Sequence, residues 1–505
     1  MEHFIFNIGM GLKTALQPLS MFYVFLGTTL GLIGGALPGV TGTAMMAMML
    51  PFTYGMDPNN SVLFLVAILI GTGFGDSIPA ILINTPGTPT SVLTAVEGYK
   101  FHLRGEDGKA LGLCLYSNLI GQVIGILVFI TMVVPLARLA LHFLAPETFA
   151  LAVFGLSAAA SLTGKNTLKG IAAVFFGLIL ATVGSDPISG QDRFSFGIVS
   201  LGDGIPLVPV MIGLLTISGV FIESRQLIGT GKFSGDKKAL TMMPVWKDLK
   251  FCTAAILVGT VVGIVVGIMP GAGATVAAFI AYQQARHWAK EPHLWGEGSR
   301  EALTTLDASN SGAVGGELIP TLGLGIPGSV SMSVLLMALM LQGIQPGPML
   351  MQSRPDLVYA VFGGLLVSTV AVRIIGYLMI RPAIYLATVP KPYLLAGILA
   401  LTTVGVYTIN WQLSDVYITM TFGLVGYFMY RYGYPAAPTV LALVLGYMIE
   451  SNFRYSLLMH YGSALSILTR PIVDIFLFLA FLTFVLPFAM ERFRIKRKPR
   501  APSKD

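Results

Sequence analysis

The sequence predicts an all-α polytopic integral membrane protein, with about 10–14 membrane segments in two structural repeats, one inverted against the other, and helices and hairpins broken by Pro and Gly. Three observations predict it. The 505 residues are 54% hydrophobic and only 11% charged, against about 25% charged in soluble domains. Apolar runs recur at 110–134, 149–160, 170–183, 251–269, 359–380 and 472–490, and a crossing needs roughly 20 apolar residues. Finally, two Pro-Gly motifs appear twice, at nearly constant offsets.

The chain opens with Lys13 and an apolar run that reaches Gly34-Gly35-Ala36 and Pro38 without a convincing cleavage site. It reads as a retained first membrane segment. The first motif follows, Pro-Gly-Val-Thr-Gly-Thr at 38–43, answered by Pro-Gly-Ala-Gly-Ala-Thr at 270–275. The second motif places Ile78-Pro79 ahead of Pro86-Gly87, answered by Ile319-Pro320 and Pro327-Gly328. The first pair is offset by 232 residues (38 to 270) and the second by 241 (79 to 320). Further landmarks correspond: Phe176-Gly177-Leu178 with Phe422-Gly423-Leu424, and Pro206 and Pro209 with Pro435 and Pro438, each proline pair opening an apolar run that ends near an acid, Glu223 or Glu450. The expected division is a first transmembrane repeat over 1–222, a basic cytoplasmic linker over 223–250, a second repeat over 251–490 and a basic cytoplasmic tail over 491–505.

The net charge of +7 is local. The linker carries +3 and the tail +5, leaving −1 elsewhere. The basic balance is therefore no nucleic-acid signal, and the positive-inside rule puts both segments in the cytoplasm. Loop 55–60 has an acid and no base, whereas its counterpart has Arg286, Lys290 and Arg300; after the second motif the bias reverses, with Lys100, Arg104 and Lys109 against Arg354. Opposite bias at equivalent loops favours an inverted repeat. Cys114 and Cys252 lie in apolar surroundings and make neither a disulfide framework nor a metal cluster.

In the second motif, an interrupted helix, a short segment and Pro-Gly precede small hydroxyl residues. Pro suits the first turn of a restarted helix, and Ser and Thr suit its cap. The freed N–H groups and the positive helix end can face an anion. The expected substrate-binding residues are Pro38, Gly39, Thr41, Thr43, Asn84, Thr85, Pro86, Gly87, Thr88, Pro270, Gly271, Gly273, Thr275, Gly325, Pro327, Gly328 and Ser329. The plain alternative is a set of packing kinks. Opened carbonyls also suit a small cation, and which motif takes which ligand stays open.

Asp76 and Glu317 occupy equivalent positions, and carboxylates near membrane depth are costly and usually functional. They are coupling-ion candidates with Asn310 and Ser311, from the polar run 307–312, which also reads as an aqueous loop. Asp474 has Arg470 as a potential partner. No metal beyond a sodium ion and no cofactor is expected.

An enzyme reading has little support. Gly73-Phe74-Gly75-Asp76 matches the Gly-x-Gly-Asp pattern of intramembrane aspartyl proteases, but the Tyr-Asp dipeptide of such enzymes is missing. There is no His-Glu-x-x-His and no Gly-x-Ser-x-Gly. Gly231-Lys232 and Gly164-Lys165 lack the upstream Gly of a P-loop, with Gln226 and Ala159 there.

At Gly35 to Gly39, Pro79 to Gly87, Met269 to Thr275 and Leu318 to Ser329, the sequence resembles the large membrane subunit of the tripartite tricarboxylate transporter family (TctA type), over essentially the whole chain. The resemblance implies a permease in the bacterial inner membrane, working with a small membrane subunit (TctB type) and a periplasmic solute-binding protein (TctC type). It implies import of citrate-like carboxylates driven by sodium or protons. The runner-up is a secondary transporter of another solute class, such as an organic cation.

Overall fold

The computed structural model describes residues 2–37, 40–84, 88, 90–162, 167–186, 191–197, 201–202, 204–226, 246–387, 391–459, 468 and 470–496. The described residues are almost entirely helical; a two-residue ladder pairs Gly184 with Arg193 and Ser185 with Asp192. In chain order the first helices are α1 (Glu2–Ala15), α2 (Pro18–Ala36), α3 (Gly42–Met49), α4 (Pro58–Gly75), α5 (Ser77–Ile83), α6 (Val92–Leu103) and α7 (Asp107–Ala140). Next come α8 (Ala145–Leu162), α9 (Thr167–Ala181), α10 (Leu207–Ile212) and α11 (Ser218–Gln226). The following stretch holds α12 (Trp246–Phe251), α13 (Thr253–Ile268), α14 (Gly273–Trp288), α15 (Arg300–Leu324), α16 (Val330–Leu341) and α17 (Leu350–Ser353). The last are α18 (Pro355–Ala387), α19 (Lys391–Asn410), α20 (Leu413–Arg431), α21 (Ala436–Met459) and α22 (Pro471–Lys496).

Seven helical stretches among the described residues are long and apolar enough to cross a membrane, and six shorter apolar helices accompany them. This is a multi-pass, all-α membrane architecture. The helices form two compact units: residues 1–142 with 205–432, and residues 143–204 with 433–505. Each unit is built from two separate stretches of the chain.

In the larger unit, glycine stripes set the packing. Gly27, Gly31 and Gly35 of α2 lie against Phe64, Ile68 and Thr72 of α4, where a β-carbon on Gly35 would stand 2.8 Å from the Thr72 carbonyl oxygen. Gly259, Gly263 and Gly267 of α13 lie likewise against Thr305, Ser309 and Ala313 of α15, with 2.5 Å at Gly267. Within each pair the helices run parallel. Such close approach is how membrane helices associate, since lipid supplies no hydrophobic drive between them. The other face of α13 bears exposed Leu257, Val261 and Val265, an apolar surface suited to lipid. The long α7 packs on α15 through Gly121 and Gly125, and α18 packs on α1 and α4 through Gly363 and Gly364.

In the smaller unit, Gly177 of α9 abuts Thr439 of α21, whose hydroxyl donates to the Ala173 carbonyl at 2.9 Å. Phe154 stacks on Phe476 of α22. Arg470 pairs with Glu147 at 2.7 Å rather than with Asp474, because α8 presents a carboxylate across the helix interface.

Candidate functional site

The site is built where helices end. Interruption was expected at both Ile-Pro pairs; the first half has a one-residue break just before its pair, and the second half has none there. α4 passes into α5 through a single turn residue, Asp76, so Pro79 sits in the first turn of α5, where its missing N–H is harmless. α15 runs straight through Pro320, a residue tolerated inside well-packed membrane helices. Both halves break later, at Asn84 (φ 52°) and Gly325 (φ 74°). Both are left-handed caps, the conformation Gly and Asn take most readily. They are 241 residues apart, the offset of the second motif.

The prolines also differ from expectation. Pro327 precedes Ser329, the N-cap of α16, and Pro270 precedes Ala272, the N-cap of α14, so neither opens its helix. Hydroxyl residues perform the capping: Ser329 accepts from the Met332 N–H, and Thr41 caps α3 by accepting from Ala44 at 3.1 Å. Pro38, Gly39, Thr85, Pro86 and Gly87 lie outside the described residues.

The two carboxylates are buried, each 3% exposed, and each meets a hydroxyl twelve residues downstream. Thr88 donates to Asp76 Oδ2 at 2.5 Å, with Thr90 at 3.3 Å. Ser329 donates to Glu317 Oε2 at 2.7 Å, and the Ala274 N–H at the start of α14 faces the same carboxylate. Gly328 lies so close that a β-carbon there would stand 2.7 Å from Glu317 Cα. The Gly271 N–H donates to the Gly328 carbonyl at 2.9 Å, joining the two Pro-Gly turns, and Gly273 (φ 66°) stands beside Ser329. Thr275 lies half-buried on the first turn of α14.

Other expected residues link regions far apart in sequence. Thr43 Oγ1 and Ser331 Oγ share a hydrogen bond of 2.6 Å, bringing the start of α3 to the start of α16. Asn310 donates to the Gly73 carbonyl at 3.3 Å. Ser311 instead bonds the Asp307 carbonyl of its own helix at 2.9 Å. The run 307–312 is thus helical rather than an aqueous loop.

Sequence reasoning left out Asp307 as a named candidate. It is 2% exposed, and its Oδ1 accepts from Ser77 at 3.0 Å. Together with the Asn310–Gly73 bond, this contact sets α4–α5 and α15 antiparallel. The signal was a lone acid among small residues within a helix-length run; what it faces depends on a contact 230 residues away.

Several other buried acids among the described residues are held by more donors or by arginine. Glu97 accepts from the Tyr282 hydroxyl and from the N–H groups of Gly296, Gly298 and Ser299. Glu301 accepts from two backbone N–H groups. In the smaller unit, Arg193 and Arg454 neutralise Asp186 and Glu450. Asp76, Asp307 and Glu317 have hydroxyl and N–H donors but form no ion pair with a basic side chain among the described residues. An arrangement of buried carboxylates without a basic partner, helix ends and left-handed breaks can bind a small cation and a carboxylate.

The model of the Tripartite tricarboxylate transporter TctA family matches residues 21–441. An uncharacterised 52.8 kDa protein from the TAR-I ttuC' 3' region of Agrobacterium vitis is 32% identical over 472 residues, covering 94% of each chain. A second uncharacterised protein of that organism, from the TAR-II ttuC' 3' region, is 31% identical over 203 residues, covering 40% of this chain and 84% of its own. No solved structure matches the chain.

Proposed function

Because the chain belongs to the Tripartite tricarboxylate transporter TctA family, we propose that it is the large permease subunit of a secondary transporter that imports tricarboxylates or related organic acids. A periplasmic binding protein of the TctC type delivers the substrate, and a small membrane subunit of the TctB type completes the complex. The subunit sits in the bacterial inner membrane with its C-terminus in the cytoplasm. A sodium or proton gradient supplies the driving force.

The two halves act as inverted repeats, 1–222 and 251–490, joined by the linker 223–250 and followed by the tail 491–505. The glycine stripes support this reading. Gly27, Gly31 and Gly35 reappear 232 residues on as Gly259, Gly263 and Gly267. Their partners Gly71 and Gly75 reappear 241 residues on as Gly312 and Gly316, packed in the same way. The antiparallel run of α4–α5 against α15 is what inversion requires.

The observation that carries the functional reading is the matched carboxylate–hydroxyl pair, Asp76 with Thr88 and Glu317 with Ser329, each hydroxyl directly following a Pro-Gly pair in the sequence. Substrate carboxylates dock on hydroxyl and N–H groups at the starts of α3, α14 and α16, and the buried acids take the coupling ion. The family is one of transporters, which goes with a non-enzymatic chain; nothing in the geometry specifically favours the protease pattern or a different solute class. Uptake of a panel of organic acids into vesicles holding the subunit with its partners, under imposed sodium and pH gradients, tests the proposal. Accumulation should follow one of the gradients, and uptake indifferent to both would overturn ion-driven transport.

A further inference from the structure

Asp307 differs from every other buried acid described above. Ser77 holds its Oδ1, but its Oδ2 is buried without a hydrogen-bond partner. The Cys114 thiol interacts with the carboxyl but is a weak donor. Ser77 directly follows Asp76, so two carboxylates approach the α4–α5 junction, one from its own helix and one from α15. Burying two carboxylates without a counter-charge is strongly unfavourable. The chain avoids this cost at Glu97, Glu301 and Glu147 with multiple donors or an arginine, and does not do so here.

A proton on Asp307 Oδ2 would create an O–H group in need of an acceptor. A metal cation needs only the lone pairs already present. The nearby hydroxyls of Ser77, Thr88 and Thr90 are hard oxygen donors, which suit a hard cation. We propose that Asp76 and Asp307 together hold one dehydrated sodium ion at the α4–α5 junction, and that Asp307 sets its affinity. The inference rests on the ion-driven reading above and deepens it. The 241-residue offset that carries Asp76 to Glu317 carries Asp307 to Val66. The position equivalent to Asp307 in the other half therefore carries no carboxylate, so the proposed pairing of two acids belongs to the Asp76 side.

The test combines two readouts on the full-length subunit: thermal stabilisation of the purified protein by sodium against choline, and the sodium dependence of uptake by the assembled complex. Asp307→Asn should raise the sodium concentration for half-maximal uptake about tenfold or more and shrink the sodium-dependent rise in Tm. Glu297→Gln, at an exposed carboxylate outside the site, should keep that rise. Asp307→Glu retains the charge on a longer arm, so it reports even if the Asn variant does not fold; it should alter the preference for sodium over lithium. Wild-type sodium affinity and selectivity in these variants would overturn the proposal, as would a response to pH in place of sodium. If wild-type uptake ignores both gradients while sodium still stabilises the subunit through Asp307, ion-driven transport fails and the binding site stands.

Discussion

Asp76 and Glu317 are alike in burial, in their offset and in the hydroxyl that reaches each from twelve residues away. Their surroundings differ. Asp76 has two threonine hydroxyls and a second carboxylate nearby, that of Asp307, across the Ser77 hydrogen bond. Glu317 has one serine, the Ala274 N–H and the backbone of Gly328 pressed against it. One region concentrates negative charge without compensation; the other uses its single acid to tie two Pro-Gly turns together. On the proposed reading, matched backbone geometry carries two electrostatic tasks. A cation suits the Asp76 side, and the helix starts around Ser329 keep N–H and hydroxyl groups for an anion.

The largest expected effect tests this division directly. Asp76→Asn should cut uptake about 100-fold, since truncating one member of a buried charged group costs roughly 2–5 kcal/mol. Glu317→Gln keeps an acceptor for Ser329 and should cut uptake less. Equal losses in the same vesicle assay would break the distinction between the two sides.

Next come the glycine stripes, where the two halves should behave alike. Gly31→Leu and Gly263→Leu each force a side chain against the backbone of the parallel neighbour. Overpacking of this kind costs about 1–3 kcal/mol or more, read as a lower Tm of the purified subunit. A large loss at one glycine and none at the other would break the structural equivalence.

These positions also show how far the sequence could be read. Membrane class and the matched acids followed from composition and offset alone. The glycine stripes were readable in principle, since Gly recurs every four residues at 27–35 and 259–267. The second-half break was misplaced because Pro320 looked like a local stop signal. The packing around it overrides that preference, and the left-handed Gly325 ends the helix instead. The pairing of Arg470 with Glu147 and the approach of Asp307 to Ser77 depend on contacts across hundreds of residues, which no local pattern encodes.

A moderate effect separates the two hydroxyl contacts. Ser329→Ala removes both the cap of α16 and the bond to Glu317, and should cost about 2 kcal/mol. Thr88→Val leaves Thr90 to donate to Asp76, so about 1 kcal/mol is expected. Thermal unfolding of the two variants checks the order, and a costlier Thr88→Val would mean that Thr90 does not substitute.

The smallest effect concerns the left-handed helix ends. Gly325 has φ 74°, and a β-carbon there would meet the Pro346 carbonyl oxygen at 3.0 Å. Gly325→Ala therefore adds strain of about 1 kcal/mol to a crowded turn. Asn84 already carries a side chain at φ 52° and is exposed. Asn84→Gly removes the left-handed penalty but adds freedom to the unfolded chain, and the two terms largely cancel, leaving about a few tenths of a kcal/mol. Differential scanning of both variants resolves the contrast, since only Gly325→Ala should lower Tm measurably. A clear loss at Asn84→Gly would show that the asparagine side chain, and not the backbone conformation alone, holds the end of α5.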